Sequence, residues 1–292
     1  MKRFLRNILM FLLPFIVFGI VIGFLRYQNL LKLVNQGIKE FQTKSVFFVG
    51  DSHIEAIDIY AFDSSFVNIG QGGEMIDVSI AKIKALVSEN SPSPMTFYLG
   101  FSECNIVNNP IIADEGKRRL FKFDLYLAKE RMAFTLSNPK GFSQYVVFDD
   151  DNSTGFGDGR GTSTNQVFNP HKVVDPQFSV MQFHYKDTNV NENATINKIL
   201  ELHQYVKSKN SKLILINMPT NAMYKKYVPK TILASYKNIM STFNKKGIQM
   251  LDYGNLNLND SLFSDMNHLN SNGSKMFLPM VFSHNKTAAA AD

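Results

Sequence analysis

The run Val46-Phe47-Phe48-Val49 stops abruptly at Gly50-Asp51-Ser52, and no other segment restricts the fold as tightly. Four β-branched or aromatic residues in a row read as a buried strand. Gly50 permits a sharp turn, and Asp51 and Ser52 are residue types that cap a following helix. A strand feeding a helix through such a turn leaves Ser52 at the carboxyl edge of a sheet, where open α/β sheets place their sites. Ser52 then has two readings, a helix N-cap and a nucleophile.

The same punctuation recurs along the chain. A short strand at Ser65–Ile69 runs into the glycine-rich turn Asn68-Ile69-Gly70-Gln71-Gly72-Gly73-Glu74, which opens a helix through about Ser88. The G-x-G-x-x-G spacing of a dinucleotide loop is absent and no Walker lysine follows, so the turn reads as a source of backbone N–H donors rather than a phosphate cradle. A third strand, Pro94–Leu99, ends in Gly100-Phe101-Ser102-Glu103-Cys104-Asn105. After a gap the rhythm resumes with a helix at Ile196–Asn210, a buried strand at Lys212–Asn217, a helix at Lys230–Lys246, a strand at Ile248–Tyr253 and a last helix from Ser271 to about Ser283. Ile54–Tyr60 reads as a helix start. Alternating strands and helices predict an α/β domain around a mainly parallel sheet.

The gap is an insertion at about 115–193. Asp114–Leu136 has helical spacing in Leu120, Phe121, Leu125, Leu127 and Met132; Ser137–Glu192 is too long for a connector and is read as lying over the sheet edge, held by Phe142, Tyr145, Phe148, Phe168, Phe178 and Phe183. Asp150, Asn152, Thr154 and Gly155 fit the opening of a calcium loop, but Gly161 stands where the closing glutamate belongs, which favours a solvated polar loop.

Ile8–Leu25 carries no charge and is bounded by Arg6 and Arg26. Eighteen helical residues reach roughly 27 Å, close to the thickness of a bilayer core. Lys2, Arg3 and Arg6 precede the run, which by the positive-inside rule puts the N-terminus in the cytoplasm and everything after Arg26 outside it, at the plasma (inner) membrane. Gly23-Phe24-Leu25-Arg26-Tyr27 is a poor cleavage site, so the run reads as an uncleaved anchor rather than a signal peptide. The expected organisation is a cytoplasmic tip and anchor at 1–26, a stalk at 27–43 with apolar residues at helical spacing, a domain at 44–285 and a disordered tail at 286–292. The net charge of +6 is modest and partly spent around the anchor; with no basic stripe interleaved with aromatics, nucleic acid is not an expected partner. One cysteine, Cys104, excludes an intramolecular disulfide and a multi-cysteine zinc site, and His171, His184 and His203 lack ligand spacing; no cofactor or metal is expected.

Far downstream, Asp265-Met266-Asn267-His268 sets a carboxylate three residues before an imidazole. The carboxylate can accept Nδ1–H, fix the tautomer and leave Nε2 as a base for Ser52. Ser52 N–H, Gly73 N–H and a polar side chain after the third strand are candidate oxyanion donors. His53 follows the nucleophile and either lines the site or faces solvent.

These blocks resemble the SGNH (GDSL-like) hydrolase superfamily: Gly50-Asp51-Ser52 matches the nucleophile block, Asn68–Gly73 the second, and Asp265-Met266-Asn267-His268 the last. The third departs, since Gly100-Phe101-Ser102-Glu103 puts serine where the family has its oxyanion asparagine; Asn105 or Ser102 is the available substitute. The resemblance implies a three-layer, flavodoxin-like sandwich, a Ser52-His268-Asp265 triad and oxyanion donors at Ser52, Gly73, Asn105 and Ser102; His53, Glu74 and Asn267 are the candidate substrate contacts.

Gly-Asp-Ser-His, an anchor and Asp-x-Asn-His-Leu-Asn are similar to membrane-tethered members of envelope polymer modification, the alginate O-acetyltransferase group and the D-alanyl transfer protein of teichoic acid systems. That likeness implies a bacterial serine acyltransferase acting on polysaccharide hydroxyls, with a multispanning membrane-bound O-acyltransferase as partner. An esterase or deacetylase with the same triad, and a non-catalytic scaffold, stay open at this point.

Overall fold

The computed structural model describes residues 1–41, 43–87, 94–107, 113–128, 131–142, 144–145, 156, 159–185 and 189–288. Among the described residues, five parallel strands, β1 (Val46–Val49), β2 (Phe66–Asn68), β3 (Thr96–Gly100), β4 (Lys212–Asn217) and β5 (Gln249–Asp252), lie in the order β2-β1-β3-β4-β5. The helices are α1 (Lys2–Phe41), α2 (Ser52–Glu55), α3 (Ile59–Phe62), α4 (Ile76–Leu86), α5 (Ala113–Leu127), α6 (Arg131–Ser137), α7 (Pro139–Phe142), α8 (Pro176–His184), α9 (Glu192–Ser208), α10 (Ala222–Lys226), α11 (Lys230–Lys245) and α12 (Ser271–Ala288).

The central strands β1, β3 and β4 are apolar on both faces because both faces are covered. Phe47, Val49, Phe97, Leu99, Leu213 and Leu215 join one core with residues of α1, α4, α5, α9 and α11. Phe48, Tyr98, Ile214 and Ile216 point the other way, onto Phe277, Leu278 and Val281 of α12. This is the expected α/β sandwich. Register across β1 and β3 is pinned by two stacked aromatic pairs, Phe47 on Phe97 at 5.2 Å and Phe48 on Tyr98 at 4.7 Å. The chain leaves β1 toward β2 on one side and returns to β3 on the other. The strand order therefore reverses between β1 and β3, and a crevice opens there at their carboxyl ends.

The insertion is more regular than its sequence suggests. The single helix expected at Asp114–Leu136 is two, α5 and α6, and α8 lies in the stretch read as irregular. Asp175 caps α8 by accepting from Phe178 N–H, and Pro176 stands in its first turn. Likewise Ile54–Tyr60 divides into two single turns, because Asp58 caps a new helix by accepting from Ala61 N–H at 3.0 Å. The calcium-like segment 150–155 and Phe148 lie outside the described residues, as does 289–292 of the tail; α12 runs on to Ala288.

The expected anchor and stalk are one helix. α1 passes Pro14 without interruption, and its apolar part, almost wholly exposed, is long and apolar enough to cross a membrane. Its last turns are different in kind: Leu30, Val34, Ile38 and Phe41 recur at helical spacing and are all buried in the domain core.

Candidate active site

Gly50 sets the turn after β1. A Cβ there would stand 2.7 Å from Ile54 Cγ1 and 3.3 Å from the Gly100 backbone, so only glycine lets α2 start this close to β3. Asp51 then caps α2 by accepting from His53 N–H at 3.0 Å. Asn68, at the end of β2, locks α2 from beneath. Its Nδ2 donates to the Ile54 and Ile57 carbonyls at 2.6 and 2.8 Å, while Oδ1 accepts from Gly70 N–H. Ser52 is thereby fixed, half-buried, at the mouth of the crevice.

The C-terminal block comes to meet it. The loop from Phe263 to Leu269 is closed by an antiparallel bridge between its ends and by Ser264 N–H on the His268 carbonyl. Buried Asn270 ties its base: Nδ2 donates to the Gln166, Ser261 and Phe263 carbonyls, and Oδ1 accepts from Asn272 and Gly273 N–H at the start of α12. Within the loop, Asp265 Oδ1 accepts from Asn267 and His268 N–H, each at 2.9 Å. The same carboxylate lies 2.8 Å from His268 Nδ1, and His268 Nε2 lies 2.8 Å from Ser52 Oγ. Burial pushes the Asp265 carboxyl up, but the hydrogen bonds and charge of His268 and the two backbone donors outweigh it and hold the pKa below the usual value. An ionised carboxylate on Nδ1–H leaves Nε2 as the acceptor for a hydroxyl proton.

A second histidine–carboxylate pair sits underneath. His53, 7% exposed, lies with Nδ1 3.0 Å from Asp51 Oδ1, its ring 5.1 Å from that of His268. Burial pulls the His53 pKa down, and the charge and hydrogen bond of Asp51 more than offset it, leaving it raised. Burial likewise raises the Asp51 carboxyl, and His53 and Asn105 reverse this and leave it well below the ordinary range. Asn267 Nδ2 is 3.2 Å from His53 Nε2 and 3.4 Å from His184 Nε2. Burial, then the neighbouring His53, lowers His184 to about 4, so at neutral pH it is uncharged and accepts from Asn267. Asp51 was legible as a cap but not as the partner of His53, and His184 lies in a segment with no periodicity to announce it.

The remaining candidates separate. Gly73, at φ +67°, and Asn105 line the same cleft as Ser52 and His268, a cavity of about 700 Å³. Asn105 Nδ2 donates to Asp51 Oδ2 at 3.0 Å, and its Oδ1 accepts from Ser102 N–H and Oγ. Ser102 faces a small neighbouring cavity instead. Asn267, His53 and Glu74 all line the cleft, with the Glu74 carboxylate itself buried, paired with Lys82 and bonded by Ser79 Oγ. Asp51, His53 and Cys104 bring three ligand-type atoms within 4.8 Å of one another. The first two are engaged in their own pair, and Cys104 Sγ donates to Asp51 Oδ2 at 3.7 Å.

No family model matches the chain, and no curated protein matches it. Solved structures do. A Bacteroides fragilis protein assigned as an acylhydrolase is 13% identical, with 84% of this chain and 88% of that one covered and a TM-score of 0.43. A GDSL-like lipase from Bacteroides thetaiotaomicron is 12% identical, with 84% and 89% covered and a TM-score of 0.44. A Bacillus subtilis protein is 12% identical, with 85% and 57% covered and a TM-score of 0.41.

Proposed function

We propose that this protein is a membrane-anchored serine acyltransferase that carries an acyl group, acetyl in the simplest case, to hydroxyls of an extracytoplasmic polysaccharide. The observation that carries the reading is the chain of contacts from Asp265 through His268 to Ser52, with both links at 2.8 Å. His268 Nε2 takes the Ser52 proton as Oγ bonds to the acyl carbonyl carbon. The oxyanion that forms is met by Ser52 N–H, Gly73 N–H and the second hydrogen of Asn105 Nδ2. Collapse expels the donor alcohol, which takes the proton from His268, and leaves an ester on Ser52. A sugar hydroxyl then loses its proton to His268 and bonds to the same carbonyl carbon, and collapse breaks the bond to Ser52 Oγ, which takes the proton back from His268.

Two features support an acceptor larger than water. The cleft is far roomier than an acetyl group requires, and Ser179, Asn189, Asn191 and Thr195 give one wall the hydroxyls and amides that bind sugars. The uncharged part of α1 supports attachment to the membrane, and the resemblance to tethered SGNH proteins supports an O-acyltransferase as acyl donor partner.

The test is acyl capture with the full chain in detergent micelles. p-Nitrophenyl acetate is supplied, and p-nitrophenol release and intact mass are followed with and without oligosaccharide acceptors. Acetyl trapped on Ser52 and passed to the acceptor supports the proposal. Release to water alone makes the protein an esterase. A folded protein with neither adduct nor turnover makes it a non-catalytic scaffold.

A further inference from the structure

The loop between β2 and α4 is gripped from behind by two cations. Lys82 of α4, with no exposure, donates from Nζ to the Ile69 carbonyl at 2.8 Å, to Gln71 Oε1 at 2.9 Å and to the Glu74 carboxylate. Arg119 of α5 donates from Nη1 to the Gly72 carbonyl at 3.2 Å. The loop is also fastened from the front, where Gln71 N–H donates to the Gly50 carbonyl at 2.9 Å, and within itself by Glu74 N–H on the Gln71 carbonyl. Among the described residues, Gly73 N–H has no hydrogen-bond partner, and it belongs to a residue that lines the cleft beside Ser52.

The Gly72 carbonyl and the Gly73 N–H are parts of one peptide unit. That unit is planar and trans, so the two groups point in opposite directions. A peptide flanked by glycines on both sides meets the least steric resistance to turning over, and φ +67° at Gly73 shows how far this one departs from ordinary backbone. Whatever holds the carbonyl therefore holds the N–H. Resting on the acyl-transfer reading of the site, we propose that Arg119 is the positioning residue for the oxyanion donor. Its guanidinium pins the Gly72 carbonyl away from the cleft, turns Gly73 N–H toward it, and polarises the peptide so that the N–H is a stronger donor. Lys82 fastens the two ends of the same loop.

The test uses the full chain in detergent micelles with p-nitrophenyl acetate, comparing wild type, Arg119→Ala and Arg119→Lys. Loss of a preorganised donor lowers kcat and leaves substrate binding alone, so Arg119→Ala is expected to lose ~10-fold in kcat with KM changed by less than about twofold. Arg119→Lys, which keeps a cation within reach of the carbonyl, is expected to recover most of it. An unchanged kcat in Arg119→Ala overturns the inference, as does a loss that Arg119→Lys fails to restore. Amide hydrogen exchange across residues 69–75 is measured on the same samples and needs no turnover. Faster exchange in Arg119→Ala supports the clamp, and equal exchange overturns it. A wild type without Ser52-dependent turnover sinks the acyl-transfer reading instead, and the exchange comparison keeps the two failures apart.

Discussion

His268 Nε2 and Ser52 Oγ stand 2.8 Å apart although 216 residues separate them in the chain. One is fixed by the first strand–helix turn and the other by the loop before the last helix, so neither owes its place to the other. Ser52→Ala is expected to abolish the acyl adduct and p-nitrophenol release, and His268→Ala to do the same within background. Asp265→Asn keeps the loop but supplies the wrong tautomer, and a loss on the order of 10²–10⁴-fold in kcat is expected. Steady-state kinetics with intact-mass detection reads all three; activity surviving in Ser52→Ala would remove the serine from the mechanism.

The atypical third block is a matter of which amide or hydroxyl faces the cleft. Asn105 does and Ser102 does not; Ser102 instead holds the Asn105 carbonyl oxygen. Asn105→Ala is therefore expected to lower kcat by about 10²-fold, as removal of one oxyanion donor does, with Ser102→Ala costing less than ~10-fold. A larger effect from Ser102→Ala than from Asn105→Ala would reverse the assignment.

The Asp51–His53 pair, with His53 buried, ties stability to pH with a defined sign. His53 is raised above its ordinary 6.5, so its contribution is complete below that value and is lost as pH rises through the raised value. Asp51 is depressed below its ordinary 3.8, so its contribution is complete above that value and is lost only in stronger acid. Thermal unfolding of wild type and His53→Gln should differ most near about pH 5, and the gap should narrow toward about pH 9. A gap that widens with alkalinity would contradict the pair.

Where the domain can be cut is set by α1. Leu30, Val34, Ile38 and Phe41 are buried, at roughly 1.5–3 kcal/mol each. Together they offer about 6–12 kcal/mol, comparable with the whole stability of a domain, ~5–15 kcal/mol. A protein starting at Gln42 is expected to be insoluble or to lack a cooperative melt, whereas one starting at Arg26 should fold. Circular dichroism melts of the two decide it; a stable domain from Gln42 would show that these contacts are dispensable.

The alternation of strands and helices was legible because β1, β3 and β4 are short apolar runs ended by turn residues, and that pattern survives any detail of packing. The two ends of the Asp265–His268–Ser52 chain of contacts were legible for the same reason, each being a short polar motif beside an element boundary. What the sequence concealed lies in contacts between distant segments. Nothing local in Glu74 says that its carboxylate meets Lys82 rather than a ligand, and nothing in Ser102 or Asn105 says which of the two faces the cleft. The α8 signal was present in Asp175-Pro176, but Ser137–Glu192 lacked the apolar period that would have drawn attention to it.

The unbroken entry of α1 into the core has a mechanical consequence. Between the uncharged run and Leu30 there is no glycine-rich hinge or loop to absorb rotation. Turning the apolar half of α1 about its axis must turn the sheet with it, as a key turns a lock barrel. The direction in which the cleft opens is thus set by how the first turns of the chain are held.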